Sequence, residues 1–229
     1  MYVDKKVVLF MGLPGSGKGT LSKHCQKKLG WLHISTGELL REHIALKTPL
    51  GQQIDLIIKS GKLISDEMIN KLVQDSLEQV TKKKRSLAVI LDGYPRTKDQ
   101  AKALSDFLQQ SMENVCLKIV RLNVDVETAK KRIQARRICG NKQCQAIHSL
   151  QKKSAGNVAE MQCRDCQYKL EKRSDDELHV VEERFSLHNQ HEKEIASFYD
   201  NNDVAILDCN AEQSAEGVFE EFKALMGSH

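Results

Sequence analysis

Val7-Val8-Leu9-Phe10-Met11 runs directly into Gly12-Leu13-Pro14-Gly15-Ser16-Gly17-Lys18-Gly19-Thr20, and this junction decides the fold. A short unbroken apolar run reads as a parallel strand buried on both faces. The stretch after it has the G-x-x-x-x-G-K spacing of a phosphate-binding loop, placed where such a loop must lie, between a strand and a helix. Glycines let the backbone wrap closely around a phosphate with its N–H groups inward, and the helix start adds positive potential. Lys18 supplies a point charge. Gly15, Ser16, Gly17, Lys18, Gly19 and Thr20 are therefore the candidate polyphosphate contacts. Gly19 stands where the generic loop has a Ser or Thr that holds Mg²⁺, so the metal is expected to rest on phosphates, water and a nearby carboxylate.

Outward from this junction the chain alternates strand and helix. Residues 87–91 (LAVIL) read as a second buried strand; 116–124 contain a third, 205–207 the core of a fourth, and 32–34 a fifth. A helix is expected from about Thr20 to Leu29. Ser65, followed by Asp66 and Glu67, has the form of a helix start with a cap and acids in the first turn. Asp125 caps a further helix expected to run to about Arg137. This alternation predicts an α/β fold, a parallel sheet flanked by helices. Two stretches break the rhythm: 35–64 is helical without a strand, and 138–175 is polar and contains cysteines. Both read as lobes inserted into a core. The expected division is a core of 1–34, 65–137 and 177–229, a lobe of 35–64 and a lid of 138–176.

The bulk numbers agree with one such domain. The chain has 229 residues, 40% of them apolar, and a net charge of +4, too mild to argue for nucleic acid by itself. No apolar run reaches the length of a membrane span, and the N-terminus lacks the cleavage site of a signal peptide, so the expected location is cytoplasmic.

Seven cysteines, an odd number, argue against a disulfide framework in a reducing compartment. Cys139-x4-Cys144 and Cys163-x2-Cys166 lie 18 residues apart, a spacing that fits a tetrahedral Cys₄ zinc site. His148 is a substitute ligand, and iron in the same ligand set stays open. With four protein ligands the metal would be structural, and it would stabilise a segment too poor in apolar residues to build its own core.

With these motifs in place the sequence resembles the adenylate kinase family. The run GLPGSGKGT is similar to its phosphate loop, Ile34-Ser-Thr-Gly-Glu-Leu-Leu-Arg41 to its first monophosphate-binding helix, Gly61-Lys-Leu-Ile64 to the end of that lobe, and Leu91-Asp-Gly-Tyr-Pro-Arg-Thr97 to its strand-loop signature, with Gln100 following. The resemblance spans nearly the whole chain. It implies a P-loop nucleoside monophosphate kinase with an inserted helical AMP-binding lobe and a Cys-containing lid, catalysing reversible phosphoryl transfer between ATP·Mg²⁺ and AMP to give two ADP. Thr36, Arg41, Lys62, Leu63, Ile64, Gly93, Tyr94, Pro95, Arg96 and Gln100 would surround AMP, with Gln100 reading the adenine edge. Arg132, Arg136, Ile147 and His148 would face ATP. Arg136, Arg173 and Arg184 would join Lys18 and Arg96 on the transferring group, Arg173 and Arg184 reaching the AMP phosphate as well. Asp92, at the carboxyl end of its strand, is placed to hold Mg²⁺-bound water. Zinc in the lid agrees with many bacterial members.

Arg132 and Arg136, four residues apart, would share a helix face. Arg173 and Arg184, if both helical, would lie about 20° apart around the axis. Cys209, where the family usually has glycine, would narrow the donor-base pocket. The expected partners are ATP, AMP and ADP, with no nucleic acid and no membrane, in a monomer. A GTP-dependent or other nucleoside monophosphate kinase is the alternative. A zinc-ribbon nucleic-acid binder is disfavoured because the basic residues of 139–166 lack interleaved aromatics, and a nucleotide-hydrolysing switch protein would need no AMP.

Overall fold

The computed structural model describes residues 5–60, 63–83, 88–112, 115–141, 144, 146–150, 161–173 and 176–227. In chain order the strands are β1 (Lys5–Met11), β2 (Leu32–Ser35), β3 (Ala88–Asp92), β4 (Val115–Asn123), β5 (Arg136–Cys139), β6 (Ile147–Ser149), β7 (Leu170–Glu171) and β8 (Ile206–Asn210). The helices are α1 (Lys18–Leu29), α2 (Thr36–Ala45), α3 (Pro49–Lys59), α4 (Asp66–Lys83), α5 (Lys98–Ser111), α6 (Val126–Ala135), α7 (Leu178–Asp200) and α8 (Ala215–Gly227).

β1 lies at the centre of a five-stranded parallel sheet of order β2-β3-β1-β4-β8. Its apolar run has no polar face because both faces are covered. Val7, Leu9 and Met11 pack with Val73 and Leu77 of α4, Leu104 and Phe107 of α5, and Ile195 and Tyr199 of α7. Val8 and Phe10 pack on the other side with Leu21 and Cys25 of α1 and Phe219 and Phe222 of α8. Two layers of helices around one sheet bury the apolar surface that drives folding.

Local chemistry sets the element ends. Ser35 Oγ accepts from Glu38 N at 3.4 Å to start α2, and Thr48 Oγ1 accepts from Gly51 N at 3.0 Å, with Pro49 following, to start α3. Ser65 Oγ accepts from Met68 N at 3.4 Å ahead of α4. Asp125 caps α6, accepting from Glu127 N at 3.2 Å and Thr128 N at 2.7 Å.

Several sequence expectations are corrected. α1 begins at Lys18 rather than Thr20, and β8 extends to Asn210. α6 ends at Ala135, because Arg136 adopts extended backbone (φ −67°, ψ 136°) and pairs with Ser149 in β5. Tertiary strand pairing overrides the helical run, so Arg132 and Arg136 do not share a helix face. Arg173 lies in the loop ahead of α7, so its expected helical relation to Arg184 fails. Within and beside the cysteine-containing stretch, β5, β6 and β7 form an antiparallel sheet of order β6-β5-β7. β3 begins at Ala88, and Leu87 lies outside the described residues.

Candidate active site

The turn between β1 and α1 is held close against neighbouring backbone. Gly15 has φ +84°, and a Cβ there would stand 2.5 Å from Ala129 O of α6, so no side chain fits. Lys18 Nζ donates to Gly12 O at 2.6 Å, Leu13 O at 2.9 Å and Ser16 Oγ at 3.4 Å, and this keeps the ammonium inside the loop. Burial pushes the Lys18 pKa down to about 8; Asp92 pulls it up, Arg96 and Arg184 push it down, and Glu192 of α7 pulls it up. Arg96 and Arg184 thus both lie close enough to Lys18 to act on its charge, although they come from the loop after β3 and from α7.

Asp92 ends β3 beside this cluster. Burial pushes its carboxyl up, but the ring of His33 and the charges of Lys18 and Arg96 outweigh burial and hold it below the usual carboxylate range. His33 Nε2 lies 3.4 Å from Asp92 Oδ2. A Cβ on Gly19 would stand 3.6 Å from the same oxygen. Gly19, without a side chain, thus lies beside the Asp92 carboxylate, an oxygen ligand of the kind that suits a hydrated Mg²⁺. His33 was not singled out from the sequence. Its only signal there is a polar residue inside an apolar β2.

On the acceptor side, Thr36 Oγ1 donates to Gly93 O at 2.9 Å, and Arg96 Nε donates to the same carbonyl at 2.8 Å. Gly93 has φ +77°, and a Cβ there would approach Arg96 Nη2 and Thr36 Oγ1 to 3.0 Å each. Arg41 folds back on its own helix, its Nη1 3.1 Å from where a Gly37 Cβ would be. Thr36, Gly93 and Arg96 are therefore brought together, with Arg41 one helical turn along α2 from Gly37. Gln100 is buried; its Oε1 accepts from Arg96 N at 2.8 Å and its Nε2 donates to Asp66 Oδ1 at 2.7 Å. Pro95 and Ile64 are half-buried and Leu63 is exposed, while Lys62 lies outside the described residues. Tyr94, expected beside AMP, turns its ring to the core. It is 2% exposed within the main core, and its hydroxyl donates to Asn70 Oδ1 at 2.7 Å and Gln100 O at 3.2 Å. Its ring supports the loop from behind.

The arginines meet at Asp176. Arg136 forks onto this buried carboxylate, Nε to Oδ2 at 2.8 Å and Nη2 to Oδ1, and Arg184 Nη1 lies 3.6 Å from Oδ1. Arg132 Nη1 donates to Ser16 O at 3.5 Å, directly over the phosphate loop. Arg173 is half-buried three residues before Asp176.

In the lid, the four sulfurs of Cys139, Cys144, Cys163 and Cys166 lie within 4.8 Å of one another, with Cys139–Cys166 at 3.3 Å and Cys144–Cys163 at 3.7 Å. Sulfurs about 2.3 Å from a tetrahedral metal stand roughly 3.8 Å apart, so the set fits zinc. The backbone N–H of Tyr168 pulls Cys166 down to about 7, toward the thiolate a metal binds. His148 Nε2 lies 3.3 Å from Cys163 Sγ, and with Cys163 and Asp165 it forms a second group that could hold a metal ion, in keeping with its expected place as a substitute ligand. Ile147, its neighbour on β6, points the other way: its Cδ1 lies 3.8 Å from the place of a Gly19 Cβ. Cys209 is also a correction. It is fully buried against α8, Sγ 3.9 Å from Val218 O, and it fills core instead of narrowing a pocket.

Among the described residues no helix is long and apolar enough to cross a membrane. The sequence profile of the family described as "Adenylate kinase" matches residues 10–204. An adenylate kinase of Petrotoga mobilis is 34% identical over 221 residues, covering 96% of this chain and 97% of that protein. One of Pseudothermotoga lettingae is 36% identical over the same coverage, and one of Archaeoglobus fulgidus is 33% identical over 219 residues, again 96% and 97%. With the phosphate loop, the acceptor-side loop and the cysteine lid in these positions, the chain belongs to the adenylate kinase family of nucleoside monophosphate kinases.

Proposed function

We propose that this chain catalyses ATP + AMP = 2 ADP through direct in-line transfer, with Lys18, Arg96, Arg136, Arg173 and Arg184 as the catalytic cations. The observation that carries the assignment is Lys18 held inside the phosphate loop by Gly12 O and Leu13 O, with Arg96 and Arg184 near enough to act on its charge. Phosphoryl transfer needs little covalent help; it needs two phosphate chains in line, water excluded and positive charge on the migrating oxygens. The acceptor phosphate is already an anionic nucleophile, so no general base is required.

The phosphate loop from Gly15 to Thr20 wraps the donor phosphates, Arg132 lies over them, and Ile147 closes from the lid. Thr36, Arg41, Gly93 and Arg96 grip the acceptor phosphate, while Gln100, Leu63, Ile64 and Lys62 surround the base. Arg173 and Arg184 reach from the lid hinge and α7. Asp92 would hold water of a nucleotide-bound Mg²⁺, which supplies charge neutralisation on the phosphates when bound. The lid cysteines would hold a structural zinc. The lobe of 35–64 and the lid of 138–176 would close on the core as units, and the enzyme would act as a cytoplasmic monomer.

A coupled assay with ATP, Mg²⁺ and each of AMP, CMP, UMP and GMP tests the substrate reading; GTP replacing ATP tests the donor. ADP formed from AMP alone, with ATP as donor, supports it. Equal turnover of CMP or UMP, or a preference for GTP, contradicts it.

A further inference from the structure

Gln100 is 4% exposed, and its amide is held at both ends by partners that allow only one orientation. A carboxylate oxygen, Asp66 Oδ1, receives Nε2, and a backbone N–H, that of Arg96, gives to Oε1. A carboxylate only accepts and a backbone N–H only donates, so the two ends of the amide cannot be exchanged. Asp66 is itself fixed, because its Oδ2 accepts from Thr97 Oγ1 at 2.6 Å, and Thr97 in turn caps α5 by accepting from Gln100 N at 3.1 Å. Asp66 and Thr97 open two different helices, and Asp66 joins them.

We propose that Asp66 is a positioning residue that sets acceptor-base selectivity by locking the Gln100 amide in a single orientation. This rests on the reading that Gln100 faces the acceptor base. After its two fixed bonds, Gln100 retains one N–H and one carbonyl lone pair, in fixed order. Adenine presents a donor at N6 beside an acceptor at N1, and such an amide matches that edge. Hypoxanthine presents the reverse, an acceptor at O6 beside a donor at N1. To serve it the amide must turn over, which sets Oε1 against the Asp66 carboxylate and Nε2 against the Arg96 N–H. Both pairings are repulsive, and buried polar groups without partners are expensive. The site therefore rejects the oxo base through groups that never touch it.

Asp66→Asn keeps the shape and removes the acceptor-only character. Its side chain can accept from one orientation of Gln100 or donate to the other, so one of the two clashes disappears. With ATP as donor, the ratio of kcat/KM for AMP to that for IMP is expected to fall about tenfold, the worth of one hydrogen bond, mainly through better use of IMP. KM for ATP is expected to stay unchanged. Asp66→Ser, which withdraws the carboxylate from the amide, provides a second reading of the same ratio should the first variant fold poorly. Thr97→Ala loosens the same junction without touching the amide; a fall in the ratio as large as that of Asp66→Asn at equal loss of Tm would assign the effect to loosening and overturn the proposal. Gln100→Ala separates the two levels. If it leaves AMP selectivity intact, Gln100 does not face the base and the underlying reading fails. If it lowers selectivity while Asp66→Asn and Asp66→Ser keep the wild-type ratio, the lock alone is refuted.

Discussion

Arg136 donates from Nε to Asp176 Oδ2 at 2.8 Å, and Arg184 Nη1 lies 3.6 Å from the other oxygen of the same carboxylate. One buried acid thus ties β5 to the long helix α7. If these two guanidinium groups act on phosphate as proposed, the carboxylate holds them in place beforehand and leaves less ordering to be done on binding.

Asp176→Ala is expected to cost stability and rate together. Removing one partner of a buried charged pair costs about 3 kcal/mol, the lower end of the range because the arginines keep some contact with water. At this chain length that is a fall in Tm of roughly 6–12 °C, read by calorimetry. The expected fall in kcat is greater than about tenfold, with KM for AMP and ATP changed less, since the loss is in the orientation of groups that act on the transition state.

Lys18 predicts a pH dependence of nucleotide binding. Its folded pKa is lowered to about 8, so in the free enzyme the ammonium loses its proton above that pH. Bound phosphates restore the proton, because negative charge favours the cation. Affinity for ATP is therefore expected to be constant below about pH 7 and to weaken above pH 8, by up to about tenfold per unit, with one proton taken up on binding. Calorimetric titration in two buffers of different ionisation enthalpy measures that proton. Lys18→Met should abolish the uptake.

Gly93→Ala probes the acceptor pocket. Its φ of +77° is costly for any side chain, and the new Cβ would press on Thr36 Oγ1 and Arg96 Nη2 at 3.0 Å. The variant is expected to raise KM for AMP by about tenfold or more with little change in KM for ATP, given the sensitivity of such sites to small displacements. Steady-state kinetics with each substrate varied in turn checks this.

The lid predicts one metal per chain. Metal analysis of the purified protein is expected to give one zinc, and Cys163→Ser or a strong chelator should remove it and lower Tm, because the segment has a small apolar cluster of its own around Ala146 and Leu170. A coloured protein with thiolate-to-iron absorbance would instead assign iron to the same sulfurs.

Much of this site is legible in the sequence because it rests on short contiguous runs. The phosphate loop, the 34–41 helix start and the 91–97 loop each carry their chemistry within a few residues, and the four cysteines declare themselves by spacing. What the sequence hides depends on partners far apart in the chain. His33 and Asp92 meet only because β2 pairs with β3 in the register Ser35 to Asp92. The junction at Arg136 reads as helix locally, yet pairing with Ser149 turns it into a strand. His148 and Ile147 are adjacent in sequence, and strand alternation sends one to the cysteines and the other to the phosphate loop. Tyr94 sits inside a binding signature but faces the core, a distinction that no local pattern carries.

In the proposed reaction Lys18 and the arginines around it stabilise transfer of a phosphoryl group between two bound nucleotides. The most direct measurement is the rate of ADP formation from ATP, Mg²⁺ and AMP by the wild-type protein and by Lys18→Met. Rapid AMP-dependent formation of two ADP per ATP consumed is expected, with a loss of about a hundred- to a thousandfold in kcat in the variant, the scale of one electrostatic group acting in the transition state. A Lys18→Met protein with undiminished turnover, or phosphate released from ATP at the same rate without AMP, would contradict it.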